Sequence, residues 1–563
     1  MEQAYTIIYN KSVEELIQKL KIIGVEKYIV LNDKLVSVYV EDGFDDSNFY
    51  NIENISWWEK SEPMSSLINI TDNIEKGEKI YIAAGTEYVE QNQYISISGK
   101  DTIIAILDSG IDYSHPDFIN TDRTSKIISI WDQNSSKKEA PQGLLFGSEF
   151  TNKEINEAIK IGDKSLTVDN KGTGTIAAGI SVGNGNLNYS NRGIAKDSEL
   201  IIVKLREYIG TYKEDVINYE LADFLAGIKY ILDKVKDSNK KLIINITVGE
   251  QAKSSVLMTL LESFTELNKN GVVVVSGAGN EGNTDTHYKG ECFKVGVNQD
   301  ISIQVGEQKN LDIALTTNGP DKIGVQVIAP SREISSTIMY APDNYIYKGI
   351  FNIEGTTYEM KYMYPWLKSG NLKVSIKLKD IKPGVWILRI VPEFLIDGSY
   401  DVYLPNKALI SKETRFFDPS SKGTITFIGT VQNTITVGTF NNRTDSMWVG
   451  SSKGSSKCSE IKPDIVAPGV DIIGAYIGST YNTGIGSGIS SSIVSGVIAL
   501  LIEYIDSQKT DDIYFDKLLF SEVLKTYLMM GATKKTIYKY PNLSQGYGIL
   551  NLKDTIIQIS RIL

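Results

Sequence analysis

Histidine and cysteine are scarce in this sequence, which has two of each among 563 residues. The two cysteines, Cys292 and Cys458, are too few for a disulfide framework, so we expect no disulfide-stapled fold. Histidine is the side chain that most readily accepts a proton near neutral pH. A hydrolytic mechanism that needs a histidine base therefore has two candidates, His115 and His287.

Long apolar runs and a basic amino-terminal segment are also missing. No uninterrupted apolar stretch reaches the ~18 residues of a membrane span, so we expect none. The first 20 residues lack a basic segment followed by an apolar run, so we expect no secretory signal. A net charge of -11 argues against a general nucleic-acid-binding protein. The length leaves room for two or more domains with a large core.

The first 95 residues have the pattern of a small α+β unit. Residues 5–9 alternate like a short strand, and residues 12–23 repeat apolar side chains at helical spacing after the N-cap candidate Ser12. Two more strands are predicted at 27–31 and 35–40. We therefore predict an N-terminal domain over residues 1–95. An unrelated small domain with the same element order is the alternative.

The next part of the chain reads as a parallel α/β core. The apolar run 103–107 ends at Asp108, and the carboxyl end of a buried strand is a usual place for a catalytic acid in such a sheet. Strands and helices then alternate, as βαβ units do. We predict a strand within 193–205, a helix at 218–235, a strand at 242–249, a helix at 255–268 and a strand at 271–280.

Three segments resemble the motifs of subtilisin-like serine proteases. Residues 101–118 (DTIIAILDSGIDYSHPDF) resemble the aspartate motif, with His115 in its structural H-P-D part. Residues 172–180 (GTGTIAAGI) resemble G-H-G-T-x-x-A-G, but Thr173 holds the histidine position. Asn280, followed by Glu-Gly-Asn, resembles the asparagine that donates to the oxyanion. Its alternative role is a turn asparagine.

The fourth motif, G-T-S-M-A-x-P-x-V-A-G, resembles residues 483–500 (TGIGSGISSSIVSGVIAL) in two possible registers. One register makes Ser490 the nucleophile, and the other puts Gly488 in the nucleophile position. In the motif, the last glycine lies eight residues after the nucleophile. Counted from position 488, the eighth residue is Gly496; counted from position 490, it is Ile498. A glycine there allows close helix packing, so we favour the register with Gly488. Ser490 and its neighbours Ser491 and Ser492 then serve most simply as helix N-caps.

A long insertion separates the asparagine motif from the next core strand at 433–439 (NTITVGT). Residues 291–425 contain short alternating runs separated by turns, which is typical of an all-β sandwich or jelly roll. The core then resumes at 426–563 with 462–469 (KPDIVAPG) and closes with 546–552 (GYGILNL). Strands are predicted in the insertion at 301–305, 313–317, 324–328, 334–340, 372–378, 385–391 and 400–404.

Taken in order, these motifs resemble the subtilisin-like serine proteases over roughly residues 100–290 and 425–563. A subtilisin-like parallel sheet with an N-terminal α+β prodomain and an inserted jelly roll is similar to the Csp germination proteases of clostridial spores. The two departures, Thr173 and Gly488, resemble the CspC-type pseudoproteases. The resemblance implies a degenerate triad at Asp108, Thr173 and Gly488, with Asn280 at the oxyanion position and no cofactor.

The same resemblance implies a function in regulation. It implies a spore protein that senses or integrates germinants, such as a bile salt or an amino acid co-germinant, and controls a partner Csp protease that activates a cortex hydrolase. Without self-cleavage the prodomain stays attached, and we expect residues 88–98 to occupy the substrate groove. The alternatives are a scaffold that senses no ligand and a residual hydrolase that uses Ser490, Ser491 or Ser492.

No metal site is predicted. Asp197 and residues 283–285 have side chains that could ligate calcium, but solvated turn residues are the simpler interpretation.

Overall fold

The computed structural model describes residues 2–253, 256–340, 346–366, 370–455, 460–508 and 515–561, so Cys458 lies outside the described residues. The N-terminal elements follow the predicted order. They are β1 (Glu2–Tyr9), α1 (Val13–Ile22), β2 (Lys27–Val30), β3 (Leu35–Glu41) and the unpredicted β4 (Ile55–Lys60), and their sheet is antiparallel in the order β2-β3-β1-β4. Ser12 caps α1, as expected, by accepting from the Glu15 amide. A separate apolar core fills this unit.

The chain then supplies two short strands, two short helices and the first elements of the main domain. The short strands and helices are β5 (Pro63–Ser66), β6 (Asn69–Ile70), α2 (Ile80–Ala84) and α3 (Glu87–Gln91). The strands that follow are β7 (Thr102–Asp108), β8 (Ile127–Asp132), β9 (Ser148–Thr151), β10 (Glu199–Lys204), β11 (Tyr208–Ile209), β12 (Ile217–Glu220), β13 (Lys241–Ile246), β14 (Val248–Gly249) and β15 (Val272–Gly277). The helices between them are α4 (Asn152–Ile161), α5 (Thr173–Val182), α6 (Leu221–Val235) and α7 (Val256–Glu262).

The inserted domain consists of two antiparallel sheets that enclose their own apolar core. Its strands are β16 (His287–Glu291), β17 (Gln299–Val305), β18 (Asn310–Thr317), β19 (Lys322–Ile328), β20 (Ile346–Phe351), β21 (Thr356–Trp366), β22 (Asn371–Lys379), β23 (Gly384–Phe394), β24 (Ser399–Tyr403) and β25 (Arg415–Phe416). The strand predicted at 334–340 is wrong, because those residues make only isolated bridges through Ile334 and Ile338. Strands β20 and β21 were missed.

The last part of the chain completes the main sheet. It adds β26 (Thr434–Asn441), β27 (Ser446–Met447), β28 (Ile465–Pro468), β29 (Ile472–Tyr476), β30 (Thr480–Ile485), α8 (Ser487–Ser507), α9 (Ser521–Gly531) and α10 (Leu552–Ser560). The sheet order is β27-β26-β15-β13-β7-β10-β8-β9, with β28 beside β26. The neighbouring pairs β8-β10, β10-β7, β7-β13, β13-β15, β15-β26 and β26-β28 are all parallel. The predicted α/β core of subtilisin type with an inserted β domain is confirmed.

Helix α8 passes through the centre of this core. By length and composition it could cross a membrane, but 89% of its apolar window is buried inside the protein. Its apolar side chains pack against the sheet in the largest apolar cluster, while α6 and α7 lie in the second cluster, on the other face of the sheet. The carboxyl ends of β7, β13 and β15 and the start of α8 therefore meet at one edge.

Candidate functional site

Strand β5 lies in a groove at this edge, between two strands of the main domain. Met64 pairs with Tyr219 of β12, and Ser66 pairs with Val248 of β14, both antiparallel. An extended peptide that adds a strand to exposed sheet edges is a common mode of peptide recognition. The helix predicted at 218–235 begins at Leu221 instead, because the residues before it pair with this peptide.

The Leu67 carbonyl, directly after β5, receives two hydrogen bonds from opposite sides. The Asn280 side-chain amide donates to Leu67 O at 3.0 Å, and the Gly488 backbone N–H donates to the same oxygen at 3.0 Å. The Leu67 N–H in turn donates to the Thr247 carbonyl at 2.7 Å. Two fixed donors on one carbonyl oxygen are the arrangement that stabilises an oxyanion in acyl transfer.

Ser487 fixes the orientation of the Asn280 amide. The Ser487 N–H and hydroxyl both donate to Asn280 Oδ1, at 2.9 and 3.1 Å, so the amide NH₂ points at Leu67. The Ser487 hydroxyl also accepts from the Gly279 N–H at 3.0 Å. No role was predicted for Ser487, although its place before Gly488, where the motif has threonine, was the available signal.

Gly488 presents bare backbone to the Leu67 carbonyl. A β-carbon at this position would lie 3.2 Å from the Leu67 carbonyl carbon and 2.6 Å from Ile68 Cγ1. A side chain here would thus point at the carbon that a nucleophile attacks, and Ile68 now fills that space.

The close approach expected at the last glycine of the motif is present, since a β-carbon on Gly496 would lie 2.7 Å from Ile194 Cβ.

The serines that follow Gly488 are buried and point away from Leu67. Ser490 donates to the Ala467 carbonyl at 3.1 Å, Ser491 to Asn245 Oδ1 at 2.9 Å, and Ser492 to the Gly488 carbonyl at 2.7 Å. All three have a relative exposure of 0%. The capping role expected for them is wrong, because α8 begins at Ser487 and these hydroxyls bond to core groups instead.

The Asp108 carboxylate lies at the carboxyl end of β7 and has no imidazole beside it. It accepts from the Thr173 hydroxyl at 2.6 Å, the Ser109 N–H at 2.7 Å and, at close range, the Thr247 hydroxyl. Burial raises the pKa of Asp108 to about 6, although these hydrogen bonds oppose the shift. Threonine has no group that accepts a proton near neutral pH, so Thr173 cannot supply the base that a histidine supplies at this position.

The start of α5 holds Thr173 in place. The Asp169 carboxylate accepts from the Gly172 N–H at 2.8 Å and from the Thr175 N–H at 3.0 Å. A β-carbon on Gly174 would lie 2.0 Å from the Gly110 carbonyl oxygen, so only glycine fits there. Tight contact between this turn and the end of β7 therefore delivers the Thr173 hydroxyl to Asp108.

Thr247 connects the two halves of the site. Its hydroxyl donates to Asp108, and its carbonyl accepts from Leu67. Asn280 and Gly488 therefore contact the Leu67 carbonyl directly, whereas Asp108 and Thr173 are connected to Leu67 through Thr247. Thr247 and Ser109 were not predicted, because single hydroxyl residues after a strand carry no signal of their own.

Both histidines have structural surroundings. His115 Nδ1 accepts from the Asp117 N–H at 3.1 Å, and Nε2 donates to the Thr480 carbonyl at 2.9 Å, as expected for a structural role. His287 lies in β16, where Nε2 contacts Asp401 Oδ1 at 3.0 Å and the ring stacks on Tyr403. Neither histidine is bonded to the groove.

The prediction that residues 88–98 occupy the groove is wrong. Residues 87–91 are helical, and α3 packs against α10 instead. The N–H groups of Ser98, Gly99 and Lys100 bind the Glu503 carboxylate, at 2.6, 2.6 and 3.0 Å. A strand held between two sheet edges must be extended, and residues 63–66 meet that requirement.

Within the described ranges, no group of three or more His, Cys, Asp or Glu side chains could hold a metal ion. Asp197 and Asp285 belong to no such group.

A profile of the subtilase family (Peptidase S8) matches residues 99–356 and 406–548. The chain therefore belongs to the subtilase family. C5a peptidase of Streptococcus pyogenes is 23% identical over 462 residues, which is 77% of this chain but 37% of that protein. The major intracellular serine protease of Bacillus subtilis is 27% identical over 246 residues, which is 43% of this chain and 61% of that protein. The chain thus spans less than two thirds of either relative.

Among solved structures, the CspB protease of Clostridium perfringens is similar over nearly its whole length. It is 27% identical, with a TM-score of 0.74, over 86% of this chain and 98% of that chain. By name, these relatives are a peptidase, a serine protease and a protease.

Proposed function

We propose that this subtilase is a pseudoprotease, with Asp108, Thr173 and Gly488 at the degenerate triad positions and Asn280 at the oxyanion position. The observation that carries the proposal is Gly488: a β-carbon there would lie 3.2 Å from the Leu67 carbonyl carbon, so a glycine holds the place from which a serine would attack. The two oxyanion donors are present, but hydrogen-bond donors alone do not cleave a peptide bond. The Asp108 carboxylate has no imidazole to orient, and its hydrogen bonds come from Thr173, Ser109 and Thr247 rather than from the groove peptide.

The loss of turnover expected from these two replacements argues against peptidase activity. In subtilisin, loss of the serine or the histidine lowers turnover about a million-fold, and loss of both adds little. The remaining oxyanion hole and binding contacts give only ~10³–10⁴ over water. That residual rate is too small for a useful peptidase.

The prodomain then stays covalently attached and closes the groove. In this proposal the peptide between Leu67 and Ile68 occupies the scissile position, and the prodomain ends at Leu67 rather than at residue 95. Both residues are nearly inaccessible, with exposures of 1% and 3%, which protects the bond from other proteases. The function must therefore reside on other surfaces.

We further propose a role in spore germination, based on the similarity to CspB and the CspC-type departures. The chain would reside in the spore, integrate germinant signals such as a bile salt or an amino acid co-germinant, and control a partner Csp protease that activates a cortex hydrolase. A scaffold that stabilises partners without sensing a ligand is the second candidate. A residual hydrolase is disfavoured by the burial of Ser490, Ser491 and Ser492.

The first test combines intact mass and fluorophosphonate labelling of one purified sample. The pseudoprotease should show the full-length mass and carry no label. A product that begins at Ile68, or a labelled serine, would contradict the proposal. As a positive control for labelling, an active subtilase should be treated in parallel.

A second test separates the receptor from the scaffold. A ligand that binds the folded state raises the unfolding temperature by mass action. Thermal unfolding with a bile salt and with an amino acid should show a saturable rise for a receptor. No rise with either compound, together with a rise on addition of the partner protease, would favour the scaffold.

A further inference from the structure

A cavity of about 270 Å³ lies beneath the main sheet, on the face opposite α8. Its walls are apolar and come from five different elements of the core: Ile228 of α6, Ile246 of β13, Leu261 of α7, Val274 of β15 and Val431 before β26. Each of these side chains is at most 6% exposed. Protein cores contain few voids larger than a water molecule, and a concave pocket with apolar inner walls and a few polar groups is typical of a small-molecule site.

The mouth of the cavity is polar and carries one sign of charge. Glu262 is the charged residue among the described residues that line it, and Asn268 and Asn433 lie beside it. The Asn433 amide donates to Asn268 Oδ1 at 2.6 Å. The bond uses one donor of Asn433 and one acceptor of Asn268, so the Asn268 NH₂ and the Asn433 side-chain oxygen keep hydrogen-bonding capacity beside the cavity.

We propose that this cavity binds a small amphiphile with an apolar body of about ten non-hydrogen atoms and a neutral or cationic polar end. The size follows by proportion, since a 150 Å³ apolar cavity holds benzene. An apolar body matches the walls, and a hydroxyl or amine at the mouth meets the Asn268–Asn433 pair. The Glu262 carboxylate would repel a carboxylate end and attract an ammonium.

The cavity is distinct from the occluded groove. Ile246 faces the cavity, and the next residue, Thr247, faces Asp108 and Leu67 on the other side of the strand, because side chains alternate along a strand. An occupant of the cavity therefore does not compete with the Leu67 peptide. The volume is also too small for a steroid acid and too apolar for a free amino acid, so the inference goes beyond the proposed germinants.

Three probes with one aromatic body test the proposal on the full chain: 2-phenylethylamine, 2-phenylethanol and phenylacetate. The amine and the alcohol should raise the unfolding temperature in a saturable way. Phenylacetate should bind about two- to fivefold more weakly than the amine, because Glu262 is exposed and solvent screens its charge. Calorimetric titration gives the affinities. Absence of saturable binding by all three would overturn the proposal.

Substitutions at the cavity and away from it show where the probes bind. Val431→Phe fills the cavity and should abolish binding of the amine, whereas Val385→Phe, at a surface position of the inserted domain with 43% exposure, should leave it unchanged. Glu262→Arg changes only the mouth, so it should fold even if Val431→Phe does not. It should invert the preference, with phenylacetate binding more tightly than the amine. Unchanged preferences in Glu262→Arg, or unchanged affinity in a folded Val431→Phe, would place the binding elsewhere.

Discussion

At the scale of single residues, the pseudoprotease proposal depends on Thr173 and Gly488 and on the side chains that contact them. Thr173 satisfies Asp108 with a hydroxyl instead of an imidazole. Ile68 occupies the volume that a side chain at Gly488 would need. Under the pseudoprotease proposal, peptide cleavage requires changes at Thr173 and Gly488 and also at Ile68, whose side chain would clash with a serine at position 488.

The triple variant Thr173→His, Gly488→Ser and Ile68→Ala should restore self-cleavage after Leu67. The serine would face the carbonyl carbon, the oxyanion donors are already in place, and the alanine removes the 2.6 Å clash with Ile68. Intact mass and amino-terminal sequencing should show a new chain beginning at position 68. Thr173→His with Ile68→Ala, which lacks the nucleophile, serves as the control and should stay full length. Cleavage in that control, or at another bond in the triple variant, would contradict the assigned positions.

Gly496 offers a second test at this scale. Alanine normally stabilises a helix interior relative to glycine by roughly 0.5–1 kcal/mol. Here the added β-carbon would lie 2.7 Å from Ile194 Cβ, and overpacking of a core costs about 1–3 kcal/mol. Gly496→Ala should therefore lower the free energy of unfolding, as measured by urea denaturation. Its neighbour Ser495 has a buried hydroxyl with no partner, so Ser495→Ala should be neutral or stabilising. A stabilised Gly496→Ala would refute the close packing on which the register of the nucleophile motif depends.

At the scale of elements, the helices and strands that a local pattern defines could be predicted from the sequence. Strands that depend on pairing with a distant segment could not. The strand before Asp108 has a continuous apolar run, and the helix after Gly486 contains one at 497–502, so both could be predicted. Strand β12 looks like the first turn of an amphipathic helix, but pairing with residues 63–66, over 150 positions earlier, makes it extended. The groove occupant was misplaced for the same reason, since strand pairing across the chain leaves no periodic signal.

Three units of the molecule meet at a buried charge cluster, here called the Glu62 junction, which consists of Glu59, Glu62, Glu250, Lys253 and Lys373. Lys373 of the insertion contacts Glu59 and donates to Glu62 at 2.9 Å. Lys253 of the core lies 3.1 Å from Glu62 and 3.0 Å from Glu250. Burial alone would raise the pKa of Glu62, but the two lysines hold it well below its usual range. The groove peptide is thus anchored on both sides one residue before β5.

Removal of one cation from the junction should be strongly destabilising. Lys373→Met leaves two glutamates buried without their shared partner, and such a loss costs roughly 3–5 kcal/mol. Urea denaturation should show this loss, and limited proteolysis should show faster cleavage near residue 62. Lys11→Met removes an ion pair whose side chains are 54% and 77% exposed, and such pairs contribute about 0–1 kcal/mol. Equal stability of the two variants would mean that the junction does not hold the groove peptide.

At the scale of the whole molecule, several buried carboxyl groups among the described residues have a raised pKa, and for three of them it reaches the neutral range. Burial raises the pKa of Asp108 to about 6, of Glu250 to about 7 and of Glu220 to about 8. One lies in the degenerate triad, one in the Glu62 junction and one at the end of β12, so all three surround the groove peptide. The carboxyl groups around the closed groove therefore bind a proton more tightly in the folded protein than in the unfolded chain.

This excess of bound protons gives the stability a definite pH dependence. In the unfolded chain these carboxyls titrate near pH 4, so between pH 5 and pH 7 the native state binds more protons than the unfolded state. The free energy of unfolding should then fall as the pH rises through this window, by at least about 2 kcal/mol. Above pH 7 the buried Lys126 acts in the opposite direction, because burial lowers its pKa to about 7.

Urea denaturation at pH 5, 6 and 7 measures how the free energy of unfolding changes with pH. Glu250→Gln should flatten this pH dependence, while Glu53→Gln, at a side chain that is 77% exposed, should leave it unchanged. A stability that rises from pH 5 to pH 7 would mean that the groove carboxyls are ionised when the groove is closed.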